Sequence, residues 1–298
     1  MNNHRTGYVA ILGLPNSGKS TFLNTLLEQK LSIINSKPQT TRKRILGILS
    51  EESYQIVFLD TPGILSPSYL LQEKMMEDVK TSLDDADVIV LIIDVKEDPF
   101  AENLFAQGFV LKSTKPKLLV LNKVDLIAQS KVSELIKHFE KEKIFNEVIP
   151  ISATADFNIQ RVKEEIIRFL PEGPKLFPDE QVTDKNERFF VSEIIREKIL
   201  ELYRDEVPYS CEVLIVDFKE REEGKNFISA EIVVEKDSQK AIIIGKGGTA
   251  IKKLGQIARK SIEEFLQREV FLELRVKVRK KWRSDENLLK SFGYSKKE

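Results

Sequence analysis

The sequence predicts a doubly wound α/β domain with a mostly parallel sheet, followed by a smaller α+β domain. Up to Leu170, apolar strand-like runs alternate with polar helical patterns, which is typical of a parallel sheet covered on both faces. Prolines and glycines then interrupt Pro171–Asn186, as is typical of a linker, and the order of elements changes after it. We therefore place the first domain at residues 1–172, the linker at 173–187, and the second domain with a C-terminal tail at 188–298.

Each element of the first domain follows from a local pattern. Apolar runs predict strands at Tyr8–Leu12, Ile45–Leu49, Gln55–Asp60, Val88–Val95, Lys117–Asn122 and Val148–Ile151. Helical patterns occupy Ser20–Leu27, Glu73–Asp84 and Lys131–Lys141. A short polar turn separates the second strand from the third, which predicts a hairpin. The carboxyl ends of parallel strands form the sheet edge at which such folds bind ligands.

The second domain combines its helices and strands in another order. A helix is predicted at Phe189–Tyr203, followed by strands at Cys211–Phe218 and Phe227–Glu235. Two helical segments then flank a glycine-rich loop, and Val270–Arg279 forms the last strand. This strand alternates apolar and basic residues, so its basic side chains are expected on one face. Trp282 is expected in the core, with base stacking as the alternative.

Composition narrows the class of protein. Hydrophobic residues make up 41% of the chain and charged residues 32%, which is typical of a soluble globular protein. The single cysteine, Cys211, excludes an internal disulfide and a multi-cysteine metal site, and it is expected to be buried. No apolar run approaches the roughly 20 residues that span a bilayer, and the N-terminus lacks a signal-peptide pattern. We therefore expect a cytoplasmic protein.

The segment Gly13–Ser20 has the pattern G-x-x-x-x-G-K-S between a predicted strand and a predicted helix. In such a loop, backbone N–H groups surround phosphate oxygens, and the helix N-terminus adds its positive dipole end. Lys19 would reach the β- and γ-phosphates, and the Ser20 hydroxyl would bind Mg²⁺. The predicted phosphate-binding residues are Gly13, Leu14, Pro15, Asn16, Ser17, Gly18, Lys19, Ser20 and Thr21.

Three later motifs predict that the base is guanine. Asp60–Gly63 (Asp-Thr-Pro-Gly) ends one strand, with Asp60 near Mg²⁺ and the Gly63 amide near the γ-phosphate. Asn122–Asp125 (Asn-Lys-Val-Asp) ends another, and its last carboxylate can accept from two N–H groups that adenine does not offer. Ser152–Thr154 (Ser-Ala-Thr) follows the next strand. These nucleotide-binding residues are Asp60, Thr61, Pro62, Gly63, Ile64, Asn122, Lys123, Val124, Asp125, Ser152, Ala153 and Thr154.

In this order, the motifs resemble those of the translation-factor-related P-loop GTPases, and over nearly its full length the chain resembles the Era-like family. The resemblance implies a first switch segment at Pro38–Arg42, in which Thr41 would bind Mg²⁺ together with Ser20 and Asp60. Thr40 is a close competitor for that role. GTP or GDP and Mg²⁺ are therefore the expected ligands.

Hydrolysis is expected to be slow. Many GTPases have a water-orienting glutamine just after the glycine of the second switch, where this chain has Ile64. In related families, an asparagine at the position of Asn16 accompanies a potassium ion that does the electrostatic work of an arginine finger. We expect Asn16 to help bind K⁺, with loop stabilisation as the alternative. The residues predicted to take part in hydrolysis are Asn16, Lys19, Thr41 and Gly63.

The glycine-rich loop of the second domain is Gly245-Lys246-Gly247-Gly248. A G-x-x-G between two helices is the loop with which KH domains hold an RNA backbone. A second nucleotide loop is excluded because no G-K-S/T and no second base motif accompany it. From Lys240 to Arg283, thirteen basic and four acidic residues give a net charge of +9, which is typical of an RNA-facing segment. The predicted RNA contacts are Ile244, Gly245, Lys246, Gly247, Gly248, Lys252, Arg259, Lys277 and Arg279.

The family resemblance continues to the end of the chain, through Trp282–Asp285 and Ser291–Tyr294. It implies a type II KH domain that binds near the 3′ end of 16S rRNA during small-subunit assembly, with some peripheral membrane contact; we expect a monomer. Two other functions stay open. One is a metabolic P-loop phosphotransferase, and the other is a signalling GTPase that places its basic domain on anionic lipid.

Overall fold

The computed structural model describes residues 4–35, 37–97, 108–221 and 223–294, so the predicted C-terminal tail is described only as far as Tyr294. The described chain forms two compact units, each with its own hydrophobic core. The first unit extends to Asp184 without Tyr69–Leu71, and the second contains Tyr69–Leu71 and the chain from Lys185. No helix among the described residues has the length and apolar content needed to cross a bilayer.

The first unit alternates strands and helices, numbered here in chain order over both units. Its strands are β1 (Arg5–Leu12), β2 (Ile45–Ser50), β3 (Tyr54–Asp60), β4 (Val88–Asp94), β5 (Lys117–Asn122) and β6 (Glu147–Pro150). Its helices are α1 (Lys19–Leu27), α2 (Leu70–Asp85), α3 (Phe109–Lys112), α4 (Gln129–Glu142) and α5 (Ile159–Phe169).

In the described part of this unit, the strands form one sheet in the order β2-β3-β1-β4-β5-β6. The predicted hairpin of β2 and β3 is antiparallel, and the other pairs are parallel. The consecutive residues Val9, Ala10, Ile11 and Leu12 of β1 are all fully buried, so both faces of the sheet are covered, and this is why the central strands are continuously apolar. The doubly wound fold is therefore confirmed. Its parallel strands end at one edge, which positions the site described below.

Residues 173–184, within the predicted linker, belong to the first unit and are hydrogen-bonded to β2 and β3. The side chain of Gln55, on β3, is fully buried; its Oε1 accepts from the backbone N–H groups of Leu176 (2.7 Å) and Phe177 (3.0 Å). The Ile48 N–H of edge strand β2 donates to the Val182 carbonyl at 2.9 Å. Backbone groups of this segment thus pair with the Gln55 side chain and with one N–H of edge strand β2.

The second unit contains α6 (Glu187–Leu202), β7 (Glu212–Lys219), β8 (Asn226–Val234), α7 (Asp237–Ile244), α8 (Thr249–Leu266), β9 (Val270–Val278) and α9 (Glu286–Ser291). β7 and β8 pair antiparallel, and β8 and β9 pair parallel. The order from α6 to β9 is the predicted KH order; α9 was not predicted. Asn186 begins α6 as its N-cap, because its side chain accepts from the Phe189 N–H.

The C-terminal segment completes the core of this unit. Trp282 is fully buried, and its Nε1–H donates to the Ser210 carbonyl at 2.9 Å, so the core position predicted for it is confirmed. Cys211, the residue that follows Ser210, is also fully buried, as predicted. The Tyr294 hydroxyl donates to Glu212 Oε2 at 2.8 Å, which ties the end of the described chain to β7.

Trp282→Phe is expected to lower the free energy of unfolding by about 1–2 kcal/mol, because it leaves a cavity and an unpaired carbonyl at Ser210. Urea unfolding followed by circular dichroism measures the change, since Trp282 is the only tryptophan. Gln256→Ala, on the exposed face of α8, is the control and should change the value by less than about 0.5 kcal/mol. Equal stability of the two variants would contradict a structural role for the indole.

Candidate guanine-nucleotide and RNA sites

The loop between β1 and α1 is shaped to surround a phosphate. Gly18 has φ 97°, and a Cβ there would lie 2.1 Å from Asn122 Nδ2, so the position requires glycine. The Lys19 side chain is buried, and its Nζ donates to the carbonyls of Gly13 (3.2 Å) and Leu14 (2.8 Å). Burial lowers the pKa of Lys19 to about 8, partly opposed by the charge of Asp60. A phosphate beside Nζ would favour the charged form.

Asp60, at the end of β3, accepts hydrogen bonds from hydroxyl groups of three segments of the chain. Its Oδ2 accepts from Ser20 Oγ at 3.2 Å and from Thr41 Oγ1 at 3.3 Å, and these two hydroxyls are 3.0 Å apart. Ser32 Oγ is the third donor, at 2.7 Å. The carboxylate is fully buried, and Oδ1 has no hydrogen-bond partner among the described residues. Burial raises the pKa of Asp60, while these hydrogen bonds and Lys19 oppose the rise.

This group of oxygens fits a hard cation. Mg²⁺ takes oxygen ligands, and the three residues predicted to hold it, Ser20, Thr41 and Asp60, are hydrogen-bonded to one another. Asp60 Oδ1 is left without a hydrogen-bond partner among the described residues. Ser32 was missed in the sequence because it belongs to no motif and is separated by 28 residues from the carboxylate that it contacts.

The segment after Asp60 packs against the P-loop. Thr61 Oγ1 donates to the Ile11 carbonyl at 2.7 Å, and the Ile64 N–H donates to the Gly13 carbonyl at 3.0 Å. The Ile64 side chain is buried and apolar. It therefore offers no group with which to orient a water molecule.

Asn122 joins the P-loop to the loop after β6. Its Nδ2 donates to the Ser17 carbonyl at 2.8 Å, and its Oδ1 accepts from the Ala153 N–H at 3.1 Å. Ser152 Oγ lies 3.3 Å from Thr154 Oγ1 within that loop. Hydrogen bonds from one amide thus hold together three motifs that are distant in the sequence.

The other residues of the Asn122–Asp125 motif lie at the same edge of the sheet. Lys123 Nζ donates to the Asn16 carbonyl at 2.9 Å and forms an ion pair with Asp94. Asp125 lies in the short turn Val124–Leu126 and is exposed. Its carboxylate accepts no hydrogen bond from the described residues, so both oxygens are available to a base.

The G-x-x-G loop lies between α7 and α8, as predicted. Lys246 is exposed, and Gly247 has φ 60°, with nothing within 4 Å of the position of a Cβ. Leu254, Ala258 and Ile262 form the buried face of α8. Lys252 and Arg259 are both exposed and lie seven residues apart, which places them on one face of that helix.

Lys277 lies apart from this surface. Leu274 of β9 faces α8, since a Cβ at Gly255 would lie 3.6 Å from Leu274 Cδ1. Side chains alternate along a strand, so Lys277 is on the opposite face of the sheet, and its Nζ pairs with Glu231 at 3.2 Å. Arg279 follows β9 and is exposed.

Comparison with known proteins gives a match for both domains. Residues 8–123 match the family model of the 50S ribosome-binding GTPases, and residues 206–283 match that of the KH domain. GTPase Era of Clostridium botulinum is 44% identical over 98% of this chain and 99% of its own length. The chain belongs to the Era family of GTPases. The predicted resemblance is thus confirmed, as are the P-loop GTPase and KH folds and the GTPase activity.

Other Era-family proteins are similar over the same length. A chloroplastic Era-like GTPase of Arabidopsis thaliana is 47% identical over 98% of this chain, which spans 69% of that relative. A crystal structure of Era in complex with MgGDPNP and nucleotides 1506–1542 of 16S ribosomal RNA has a TM-score of 0.94, with 42% identity over 98% of this chain and 99% of that one. A variant of Aquifex aeolicus Era bound to GDP·AlF₄⁻ has a TM-score of 0.92 and 42% identity, again over 98% of this chain and 99% of its own.

Proposed function

We propose that this Era-family GTPase binds GTP with Mg²⁺, hydrolyses it slowly, and binds the 3′ end of 16S rRNA during assembly of the small ribosomal subunit. One observation carries the proposal: a phosphate, metal and base site lies in one unit, and an exposed G-x-x-G loop lies in the other. A crystallised Era that is 42% identical to this chain holds MgGDPNP and a 16S rRNA fragment, which supports both halves. We place the protein in the cytoplasm.

In the proposed nucleotide complex, Lys19 gives up its two carbonyl partners for β- and γ-phosphate oxygens. Ser20 and Thr41 would hold Mg²⁺, together with the neighbouring Asp60. The metal neutralises negative charge on the phosphates when it is bound. The Gly63 N–H donates toward the γ-phosphate. Ile64 contributes nothing to orienting water, which makes the intrinsic rate slow.

We propose K⁺ as a further cofactor, held with the help of Asn16. Asn16 is exposed and has φ 64°, a conformation that asparagine adopts more easily than most residues. Replacing K⁺ by Na⁺ should lower the hydrolysis rate about tenfold, because a site sized for K⁺ does not hold the smaller Na⁺ and the phosphates then lack that positive charge. Asn16→Ala should remove the difference between the two salts while GDP affinity stays within about twofold. Equal wild-type rates in the two salts would leave Asn16 as a loop-stabilising residue.

On the RNA side, we propose that Gly245–Gly248, with Lys246, holds the backbone. Lys252 and Arg259 extend this contact along α8, and Ile244 lines its start. Lys277 and Arg279 add positive potential at longer range, because Lys277 lies on the other face of the sheet. We expect the protein to act as a monomer.

Crosslinking and sequencing of bound RNA tests this function. The protein is loaded with a non-hydrolysable GTP analogue or with GDP, and enrichment of the 16S 3′ end is expected to differ between the two states. We propose that the bound nucleotide controls RNA binding, and equal occupancy in the two states would refute that control. Binding to anionic liposomes at matched salt, without RNA enrichment, would favour membrane signalling instead. A nucleotide product other than GDP and phosphate would favour a phosphotransferase.

A further inference from the structure

We propose that Ser32 is a positioning residue for the metal site: held in place by Asn24, it fixes the Asp60 carboxylate and so sets the Mg²⁺ concentration at which the protein binds guanine nucleotide tightly. This inference rests on the proposed function and assigns a role to two residues outside every nucleotide-binding motif in the chain.

Among the described residues, Ser32 makes the shortest hydrogen bond to the Asp60 carboxylate. Ser32 is buried, and its hydroxyl donates to Asp60 Oδ2 at 2.7 Å, compared with 3.2 Å for Ser20 and 3.3 Å for Thr41. Hydrogen bonds to a charged acceptor are roughly twice as strong as neutral ones. Ser32 therefore contributes strongly to the orientation of this carboxylate.

Asn24 holds the backbone on both sides of that hydroxyl. Its Oδ1 accepts from the N–H groups of Leu31 and Ser32, each at 3.0 Å, and its Nδ2 donates to the Ser32 carbonyl at 2.8 Å. Asn24 is buried on α1, the helix that begins with Lys19 and Ser20. One helix thus carries the phosphate-binding lysine and a metal-binding hydroxyl, and through Asn24 it also fixes the residue that orients Asp60.

The role of Ser32 is distinct from that of the other two donors. Ser20 and Thr41 are the hydroxyls proposed to bind Mg²⁺, so they are the donors that Asp60 would share with the metal. Ser32 is not in that set, and its backbone is fixed by Asn24. Its hydrogen bond can therefore hold Asp60 Oδ2 whether the metal is bound or not, while Oδ1, which has no partner among the described residues, stays available. Outer partners that orient ligands in this way tune metal affinity.

Mg²⁺ should tighten the binding of fluorescent GDP, and the Mg²⁺ concentration at which this effect is half-maximal is the Mg²⁺ midpoint. Ser32→Ala is expected to raise the Mg²⁺ midpoint about tenfold. GDP affinity measured in EDTA should be unchanged, because Ser32 orients only the metal-facing carboxylate. Ser32→Cys, which keeps the volume but donates weakly, should shift the midpoint in the same direction, and Ser32→Thr, which keeps the hydroxyl, should restore it. Asn24→Ala should also raise the midpoint, and adding it to Ser32→Ala should cause little further change because both act through one contact.

Ser82→Ala is the matched control. Ser82 is another fully buried serine of the first unit, and its hydroxyl donates to the Asp78 carbonyl at 2.7 Å on α2. Loss of this hydroxyl should leave the Mg²⁺ midpoint unchanged. If Ser32→Ala lowers the melting temperature and the affinity in EDTA but not the midpoint, Ser32 is only structural and the inference is overturned. If the GDP affinity of the wild-type protein does not depend on Mg²⁺, the metal part of the proposed function is refuted, and this inference with it.

Discussion

Asp125→Asn is expected to lower GTP affinity about 10³-fold and to make XTP the preferred nucleotide. The carboxylate accepts from the ring N–H and the exocyclic amine of guanine, whereas an amide turns its NH₂ group toward one of those donors. Xanthine has a carbonyl in place of the amine, so the amide pairs with it. Leaving polar groups unpaired in such a site produces discrimination of this size.

The surroundings of Asp125 make this substitution easy to interpret. Its side chain is exposed, and among the described residues it has no hydrogen-bond partner, so the substitution removes no internal contact. Displacement of fluorescent GDP by GTP and by XTP measures the preference. Asp156→Asn is the matched control, because Asp156 is also exposed, lies just after the Ser-Ala-Thr motif, and has φ 53°, which asparagine tolerates. A variant at Asp125 that still prefers GTP would refute guanine recognition by this carboxylate.

Both domain folds could be predicted from the sequence because their signals are local. Each nucleotide motif directly follows a strand, and parallel strands end at one edge, so placing the strands also placed Asp60 and Asn122 at the same edge of the sheet. In the KH domain, the loop glycines and the buried spacing of α8 are contained in a short segment. Patterns of this kind can be recognised without knowing which distant residues are in contact.

The features that could not be predicted depend on single side chains acting across the chain. Gln55 looks like an ordinary polar residue of a strand, yet it binds the backbone of Leu176 and Phe177. Ser32 donates to Asp60 across 28 residues, and its own backbone is hydrogen-bonded by Asn24. The local charge of +9 also counts Lys277, although that residue lies across the sheet from α8. Charge counted along a sequence does not distinguish the faces of a sheet.

Replacing Lys246 and Gly247 together by aspartate is expected to weaken binding to a 16S 3′-end oligonucleotide about 100-fold. The double variant removes the loop cation and places two carboxylates where the RNA backbone must approach closely. The loop should keep its conformation, because aspartate tolerates φ 60° better than most residues and a Cβ at position 247 meets nothing within 4 Å. The GTP hydrolysis rate without RNA should stay within about twofold, since the substitutions are in the other unit.

A control with the same charge change and the same kind of backbone decides whether this effect belongs to the loop. Lys225 is exposed in the turn between β7 and β8, next to Gly224, which has φ 85° with nothing within 4 Å of a Cβ. Lys225 pairs with Glu269, beyond the end of α8 that is opposite to the loop. Lys225→Asp combined with Gly224→Asp should therefore weaken binding less than about threefold, because it adds repulsion only at a distance that salt screens. Filter binding over a range of salt concentrations distinguishes the two variants. In the loop variant, the dependence of the binding constant on salt concentration should also weaken by the equivalent of about one phosphate contact. Equal losses in both variants would mean that the RNA responds to overall charge, and the G-x-x-G loop would then not be the contact.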